Sequence, residues 1–375
     1  MKILYVTTIA ETMRFFPQHI RLLQAEGHIV ELACNMGKPL PDAVQVLGCK
    51  AHHVSFSRSP ISKGNLIAYG ELKKLVATGA YDVVHTHTPN ASALVRLVCR
   101  NLRKKGLRVI YTAHGFHFYK GAPLKNWLIY YPVEKLCARM TDTLITMNQE
   151  DYALAQKKLA AKDVVYVPGV GINTDGFEST PEEVRVQKRA ELGIPQDAFV
   201  LLSVGELNRN KNHETAIRAV SGLDVYYLIA GRGDLQPHLQ AVIDELGCSD
   251  RVKLLGYRTD VRELYRAVDL FVFPSFREGL PVSVMEAMAS GLPCVASDIR
   301  GVRDLVVDGE NGLLCNSSDV VAMTKAVSCL AEDVCLREQF AVCAKKRVKA
   351  FGHETVGECM MKIYNKREVG WNEPV

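Results

Sequence analysis

Short apolar runs alternate with longer amphipathic stretches along the whole chain. Ile3-Leu4-Tyr5-Val6 comes first, and a helix is predicted over Pro17–Glu26, where the proline suits a first helical turn. Gly27-His28 closes that helix, and Ile29–Ala33 reads as the next strand. Val83–His85, Val109–Thr112, Leu144–Thr146 and Val164–Val167 continue the series. Apolar strands this short, separated by helices, imply parallel strands covered on both faces.

The pattern breaks at Pro168-Gly169-Val170-Gly171-Ile172-Asn173, a turn-rich stretch followed by polar sequence from Ser179 to Arg189. A second series opens with Phe199–Val204 and continues through Tyr226–Ala230, Val252–Leu255, Leu270–Phe273 and Pro293–Ala296. The fold class is therefore α/β, with two doubly wound, Rossmann-like domains. The first is placed at residues 1–170 and the second at 171–350. The segment 351–375 is expected to form a C-terminal helix that packs back on the first domain. Ligands of such sheets bind at the carboxyl ends of the strands, so function is expected in a cleft where the two sets of strand ends face each other. A length of 375 residues suits two domains of ~150 residues each.

Composition narrows the class. Hydrophobic residues make up 48% and charged residues 23%, the balance of a soluble globular protein. No apolar run reaches the ~20 residues of a membrane span, and the N-terminus enters a strand at once, which leaves no signal peptide. Eleven cysteines are scattered without a Cys-x-x-Cys pair and read as reduced thiols in a cytoplasmic chain. The net charge of +5 is uneven: residues 1–170 carry 22 Lys and Arg against 11 Asp and Glu, the remainder 24 against 30. A basic first half and an acidic second half suggest different partners.

Two stretches bear on a membrane. Arg96, Arg100, Arg103, Lys104, Lys105 and Arg108 form a run with no acid among them, and Asn126–Pro132 is rich in aromatic and apolar bulk. Together they predict a first domain that rests on an anionic membrane surface through Arg96–Arg108, peripheral to the inner face of the plasma membrane. A solvated helix beside a buried one would give the same sequence. No helix-turn-helix or aromatic-basic platform accompanies the charge, so nucleic acid is not an expected partner.

The chemistry concentrates at the strand ends of the second half. The Val204 strand runs into Gly205-Glu206-Leu207-Asn208-Arg209-Asn210-Lys211-Asn212, and the Ala230 strand into Gly231-Arg232-Gly233-Asp234. Gly256-Tyr257-Arg258, Arg277-Glu278-Gly279-Leu280-Pro281 and Ser297-Asp298-Ile299-Arg300-Gly301 follow the next strands. Glycine admits a ligand close to the backbone and Arg or Lys neutralises phosphate, so successive loops of this kind predict a nucleoside-diphosphate site. Pro281, Val282 and Ser283 open a helix whose free N–H groups and dipole favour a diphosphate. Glu286 in its first turn is suited to accept hydrogen bonds from ribose hydroxyls, as acidic residues do in dinucleotide folds. Glu278 lies in the preceding loop, placed to meet a sugar. For either glutamate alone, a salt bridge or electrostatic capping of a helix is the simpler reading; the spacing, Gly279, Pro281 and Lys211 together favour the ligand.

These motifs, in order, resemble the retaining glycosyltransferases of family four, which have the GT-B fold. The resemblance rests on Glu278-x7-Glu286 with Gly279-Leu280-Pro281, Val204-Gly205…Lys211, Ala230-Gly231-Arg232-Gly233 and Asp308-Gly309-Glu310-Asn311-Gly312-Leu313. In the first half it rests on Val84-His85-Thr86-His87-Thr88-Pro89 and Tyr111-Thr112-Ala113-His114-Gly115-Phe116-His117. It is closest to bacterial members that assemble surface polysaccharides on lipid carriers. The resemblance implies a hexose or N-acetylhexosamine moved from a nucleotide sugar, UDP-linked, to a saccharide or polyprenyl-diphosphate-linked acceptor, with retention and without a metal or other cofactor. It implies that Lys211 binds the diphosphate, Glu286 the ribose and Glu278 the donor sugar. Gly231, Gly233, Tyr257 and Arg258 would surround the base, and His114 would contact the transferred sugar. The sequence departs from the family pattern at Glu206, where an arginine is common. Either Glu206 turns away and Arg209 supplies the cation, or the loop is built differently.

The histidines also admit a zinc reading, because His85 and His87 alternate on a strand end and His114 and His117 follow another. No acid or cysteine stands beside them at a zinc spacing, and contact with sugar hydroxyls of the acceptor explains His85, His87 and His117 better. His213, His238 and His353 read as surface or packing residues. In the transition state, charge builds on the leaving phosphates, and Lys211, Arg209 and the Pro281–Val284 amides suit its stabilisation. No carboxylate of the first half offers itself as a nucleophile, which favours attack on the face the phosphate leaves. Other readings of the same scaffold are a nucleotide-sugar epimerase or hydrolase, and a ligand-binding protein without catalysis.

Overall fold

The structure is a computed structural model, and it describes residues 1–59, 62–178 and 182–366. It divides into two compact units. One comprises Met1–Gly171 with the described residues from His353 onward; the other is Ile172–Gly352.

The first unit holds a seven-stranded sheet of β1 (Lys2–Ile9), β2 (Ile29–Asn35), β3 (Lys50–His53), β4 (Val83–Thr86), β5 (Arg108–Ala113), β6 (Thr143–Thr146) and β7 (Asp163–Tyr166). Every pair is parallel, in the order β3-β2-β1-β4-β5-β6-β7. The second unit holds β8 (Val200–Val204), β9 (Tyr226–Ala230), β10 (Val252–Gly256), β11 (Leu270–Phe273), β12 (Cys294–Ser297) and β13 (Gly312–Cys315), in the order β10-β9-β8-β11-β12-β13 and again parallel. Strand order reverses beside β1 and β4 in one sheet and beside β8 and β11 in the other. At such a switch point adjacent connections depart to opposite faces and leave a crevice for a ligand.

Alternation builds the cores. Val200, Leu202, Phe271 and Phe273 enter the apolar cluster on one face of the second sheet, while Leu201, Leu270 and Val272 enter the cluster on the other. Both faces are buried, which is why these strands read as unbroken apolar runs. In the first unit Leu4, Val6, Val84 and Val109 pack against the Gly64–Gly79 and Pro89–Cys99 helices.

The polar stretch after Asn173 includes the helix Glu182–Glu191, on which Arg189 is fully buried. Its guanidinium donates to the carbonyls of Ala267, Gln196 and Ala198 at 2.8 Å each and to Asp269 at 2.8 Å. Residues 179–181 lie outside the described residues, as do 367–375 of the expected C-terminal segment. Strands β3 and β13 lie outside the two series read from the sequence; both are edge strands. The basic run Arg96–Arg108 is only half a surface patch. Arg96 is buried and forms a bidentate pair with Glu134, Arg103 holds Asp142, and Arg108 donates to the carbonyls of Tyr364 and Ile363. Arg100, Lys104 and Lys105 remain exposed.

The His353–Asn365 helix lies on the first unit. Gly357 permits the approach, since a Cβ there would stand 2.7 Å from Leu22 in the Pro17–Ala25 helix. No helix among the described residues is long and apolar enough to cross a membrane.

Candidate functional site

In the second unit, the loops after β8 and β11 flank the switch point and are tied together by side chains. The Phe276 N–H donates to the Asn210 carbonyl at 2.8 Å, and the Asn210 amide returns a bond to the Arg277 carbonyl at 2.9 Å. Asn212, in the left-handed region at φ 53°, donates to the carbonyls of Pro274 and Ser317 at 3.0 and 2.7 Å. These bonds bring Lys211 and Glu278, distant in sequence, into an ion pair of 2.7 Å. The Lys211 ammonium also lies 5.0 Å from the Phe273 ring centroid, so an aromatic face and a carboxylate together fix its direction.

Beside them, the Val282–Ala289 helix begins at Pro281 without a side-chain cap. Its first intrahelical bond comes from Met285 N–H, so the amides of Val282, Ser283 and Val284 have no protein partner among the described residues. Glu286 is partly buried on this helix. Burial raises its carboxyl pKa, against the lowering effect of a hydrogen bond from Tyr265. Tyr265 Oη lies 3.1 Å from both Glu286 Oε2 and the Ser283 carbonyl, sharing its proton between them. The sequence reading missed Tyr265, Phe273 and the asparagine loop ties. Only the fold brings Tyr265, on the Val261–Ala267 helix, to Glu286.

The glycines also have a packing role. A Cβ on Gly231 would stand 1.8 Å from the Gly205 carbonyl oxygen, and one on Gly233 would stand 2.3 Å from the Leu207 carbonyl oxygen. Both therefore let the loop after β9 stack on the loop after β8, with Leu207 N–H bonded to the Arg232 carbonyl at 2.9 Å. Gly301, at φ 73°, would likewise meet the Gly279 carbonyl at 1.9 Å. These glycines shape the site by packing backbone on backbone.

Other expectations divide. Glu206 is exposed, and its carboxylate accepts from Asn208 at 2.9 Å. Arg209 is exposed with no ion pair among the described residues, which fits the first of the two alternatives for this loop. Tyr257 is exposed with the Arg232 guanidinium 5.5 Å above its ring. Arg258 is not a free cation: Asp260 and Glu191 hold it in a network shared with Lys188 and Glu263, and its charge is neutralised there. Leu280 packs on the core and Pro281 is buried.

In the first unit, Thr8 from the end of β1 meets Thr88 after β4, with their hydroxyls 2.6 Å apart. Behind this contact His85, His87 and His114 assemble with Tyr5, Phe16 and His19. His87 lies 4.1 Å from the His85 ring and 5.6 Å from the His114 ring, centroid to centroid. His85 is no ligand-facing residue. It is wholly buried, with Nδ1 2.5 Å from the Tyr364 hydroxyl and Nε2 2.7 Å from the Thr112 hydroxyl. His87 is also buried, its Nδ1 3.4 Å from His114 Nε2 and its own Nε2 without a partner. His117 leaves the group and stacks on Tyr130 at 4.5 Å. Asp151 accepts from the Phe116 N–H at 3.0 Å and so fixes the loop that carries His114. Among the described residues no group of three or more His, Cys, Asp or Glu is arranged to hold a metal ion.

Burial keeps the clustered imidazoles neutral. It lowers His19 and His114 to about 4 and His85 and His87 well below their ordinary value, with like charges among the histidines adding to the effect for His19, His85 and His87. A group whose folded pKa is depressed binds its proton more readily in the unfolded chain. The stability it contributes is thus present above about pH 6.5 and lost as pH falls toward 4. His19, near 4, alone carries about 3 kcal/mol. The melting temperature of the chain is expected to fall steadily from pH 7 to 5, above the usual carboxylate range. A flat profile by circular dichroism over that interval contradicts this.

Comparison with known proteins follows this geometry. Residues 184–347 match the family described as "Glycosyl transferases group 1", and residues 14–169 match "Glycosyl transferase 4-like domain". The chain is 35% identical over 371 residues to EpsD of Bacillus subtilis (strain 168), covering 97% of this chain and 96% of that one. It is 28% identical, over 89% of this chain and 88% of the other, to the Escherichia coli UDP-Gal:alpha-D-GlcNAc-diphosphoundecaprenol alpha-1,3-galactosyltransferase. Among solved structures, HepE of Anabaena in complex with UDP and glucose superposes with a TM-score of 0.82 at 20% identity, covering 97% of this chain and 99% of that one. That last likeness is one of fold.

Proposed function

The chain belongs to the group 1 glycosyl transferases, with the Rossmann-like units of the GT-B fold, and from that membership we propose that it moves a hexose or N-acetylhexosamine from a UDP-linked donor. The acceptor is a saccharide or polyprenyl-diphosphate-linked saccharide in surface polysaccharide assembly, and the anomeric configuration is retained without a metal. The relative that acts on a diphosphoundecaprenol-linked sugar supports the lipid-linked acceptor. The HepE structure, which holds UDP, supports the donor.

The observation that carries the reading is the convergence of Lys211, Glu278 and the open helix start at Pro281 on one switch point of the second sheet. The donor diphosphate would sit on the amides of Val282, Ser283 and Val284, with Lys211 and Arg209 as its cations. Glu286, aligned by Tyr265, takes the ribose hydroxyls, and Glu278 takes hydroxyls of the sugar. His114, held neutral by burial, donates or accepts a hydrogen bond at the transferred sugar. The bond between the anomeric carbon and the leaving phosphate breaks as the acceptor oxygen bonds to that carbon on the same face. The acceptor proton passes to the departing UDP. The chain acts in the cytoplasm; peripheral contact with an anionic membrane would rest on Arg100, Lys104 and Lys105, the exposed members of the basic run.

Glu286→Ala tests the donor site. Hydrogen bonds to a charged group are worth about 1.5–3 kcal/mol, so UDP affinity is expected to fall about 10- to 100-fold. Calorimetry with 2′-deoxy-UDP should show a smaller loss in the variant, because one of the missing bonds is then absent from both. Equal affinity of wild type and variant for UDP removes Glu286 from the site.

A further inference from the structure

A cavity of about 280 Å³ lies in the first unit between the Pro89–Cys99 helix, the Leu124–Ala138 helix and the Gly115–Phe118 loop. We propose that it seats the isoprenoid chain of the lipid-linked acceptor. The inference rests on the lipid-linked reading above and adds to it a site for the part of the acceptor that does not react. The lining is chiefly apolar, with Ala93, Leu94, Phe116, Phe118, Ile129 and Val133 prominent. The Arg96–Glu134 pair closes it with mutually satisfied charges, offering a hydrocarbon no unpaired ion.

The neighbourhood points to a lipid. The Leu124–Ala138 helix is apolar on nearly all sides, a pattern expected of a buried helix, yet Leu124 and Leu128 are 72% and 67% exposed. Ile129 and Val133 belong both to the exposed stripe and to the cavity wall, so the open apolar face runs into the cavity without a polar rim between them. Charge follows the same logic. From Tyr119 to Arg139 the exposed ionic residues are Lys120, Lys125, Lys135 and Arg139, and the one acid, Glu134, is consumed by Arg96. An aliphatic chain attached to a diphosphate matches an apolar slot bordered by unopposed cations. The Gly115–Phe118 loop links slot to chemistry, since it follows His114 directly and carries His117, stacked on Tyr130 at the wall. A chain lodged there would hold its saccharide within reach of the loop that bears His114.

The test uses geranylgeranyl diphosphate as probe, titrated into the full chain in the presence of saturating UDP, so that the donor's phosphate site is already filled. Wild type is compared with Ala93→Trp, which fills the cavity from the Pro89–Cys99 helix, and with Ile129→Asn at its mouth, where the side chain is 58% exposed. Inorganic diphosphate serves as the control for charge alone. Binding by wild type, at least tenfold weaker in both variants and unchanged for UDP, supports the proposal. Absence of binding by wild type, affinity equal in all three proteins, or inorganic diphosphate competing as well as the isoprenoid each overturns it. Failure of the donor reading would appear separately, as failure of wild type to bind UDP.

Discussion

Lys211→Met is expected to lower kcat/KM for the nucleotide sugar about 10²–10³-fold, the usual effect of losing one fixed donor at a site of developing charge. The substitution removes the cation and also leaves the Glu278 carboxylate, its partner at 2.7 Å, unpaired beside the phosphates. The two causes separate in the double variant Lys211→Met/Glu278→Gln. If Lys211 merely neutralised Glu278, the double variant would recover most of the rate. If the ammonium stabilises the leaving diphosphate, the double variant stays at least about 10²-fold slow. The second result is expected, because the Phe273 ring and the asparagine-tied loop aim the ammonium independently of Glu278. Steady-state rates for the four proteins of the cycle decide it.

The largest effect on stability is expected from Gly231→Ala. Its Cβ would lie 1.8 Å from the Gly205 carbonyl oxygen, a backbone atom bound into the end of β8, so neither partner can rotate away. The loops after β8 and β9 must then separate, breaking the bond from Leu207 N–H to the Arg232 carbonyl and displacing Lys211 at the far end of its loop. Overpacking against a rigid partner costs about 3 kcal/mol or more, and the melting temperature is expected to drop by about 6–12 °C. UDP binding should weaken with it. Gly222→Ala is the control: its Cβ would meet nothing within 4 Å, and its melting temperature should stay close to wild type. Equal stability of the two variants would contradict the backbone crossing at Gly231.

Much of this fold is legible in the sequence because parallel strands buried on both faces must be apolar throughout. Phe271 and Phe273 face one core while Leu270 and Val272 face the other, so no polar residue interrupts the run. Two of the four edge strands escape the same reading. Lys50–His53 has solvent on one side and polar residues to match, and Gly312–Cys315 opens on the glycine of an Asn-Gly pair that signals a turn. At the site, Lys211, Glu278 and Glu286 stand out in the sequence because they lie in the loops after β8 and β11 and on the helix that follows. The run from Arg96 to Arg108 is misread because Glu134 and Asp142, which pair with Arg96 and Arg103, come from elsewhere in the chain, and a linear charge pattern shows a cation without the carboxylate that neutralises it. The partners Glu191 of Arg258 and Tyr364 of His85 are hidden from the sequence in the same way. The stacking role of Gly231 and Gly233 is not legible either, since a glycine needed for loop stacking and one needed for a ligand look identical in sequence.

The most direct test of the central claim is transfer itself. Purified chain would be incubated with UDP-glucose, UDP-galactose, UDP-N-acetylglucosamine and UDP-N-acetylgalactosamine in turn, each α-linked and labelled in the sugar, together with a polyprenyl-diphosphate-linked monosaccharide. Label is expected to enter the lipid-linked product from at least one donor, with an α linkage by proton NMR. Release of free labelled sugar or interconversion of the donor without a glycosylated product, or a β linkage in the product, would contradict the account.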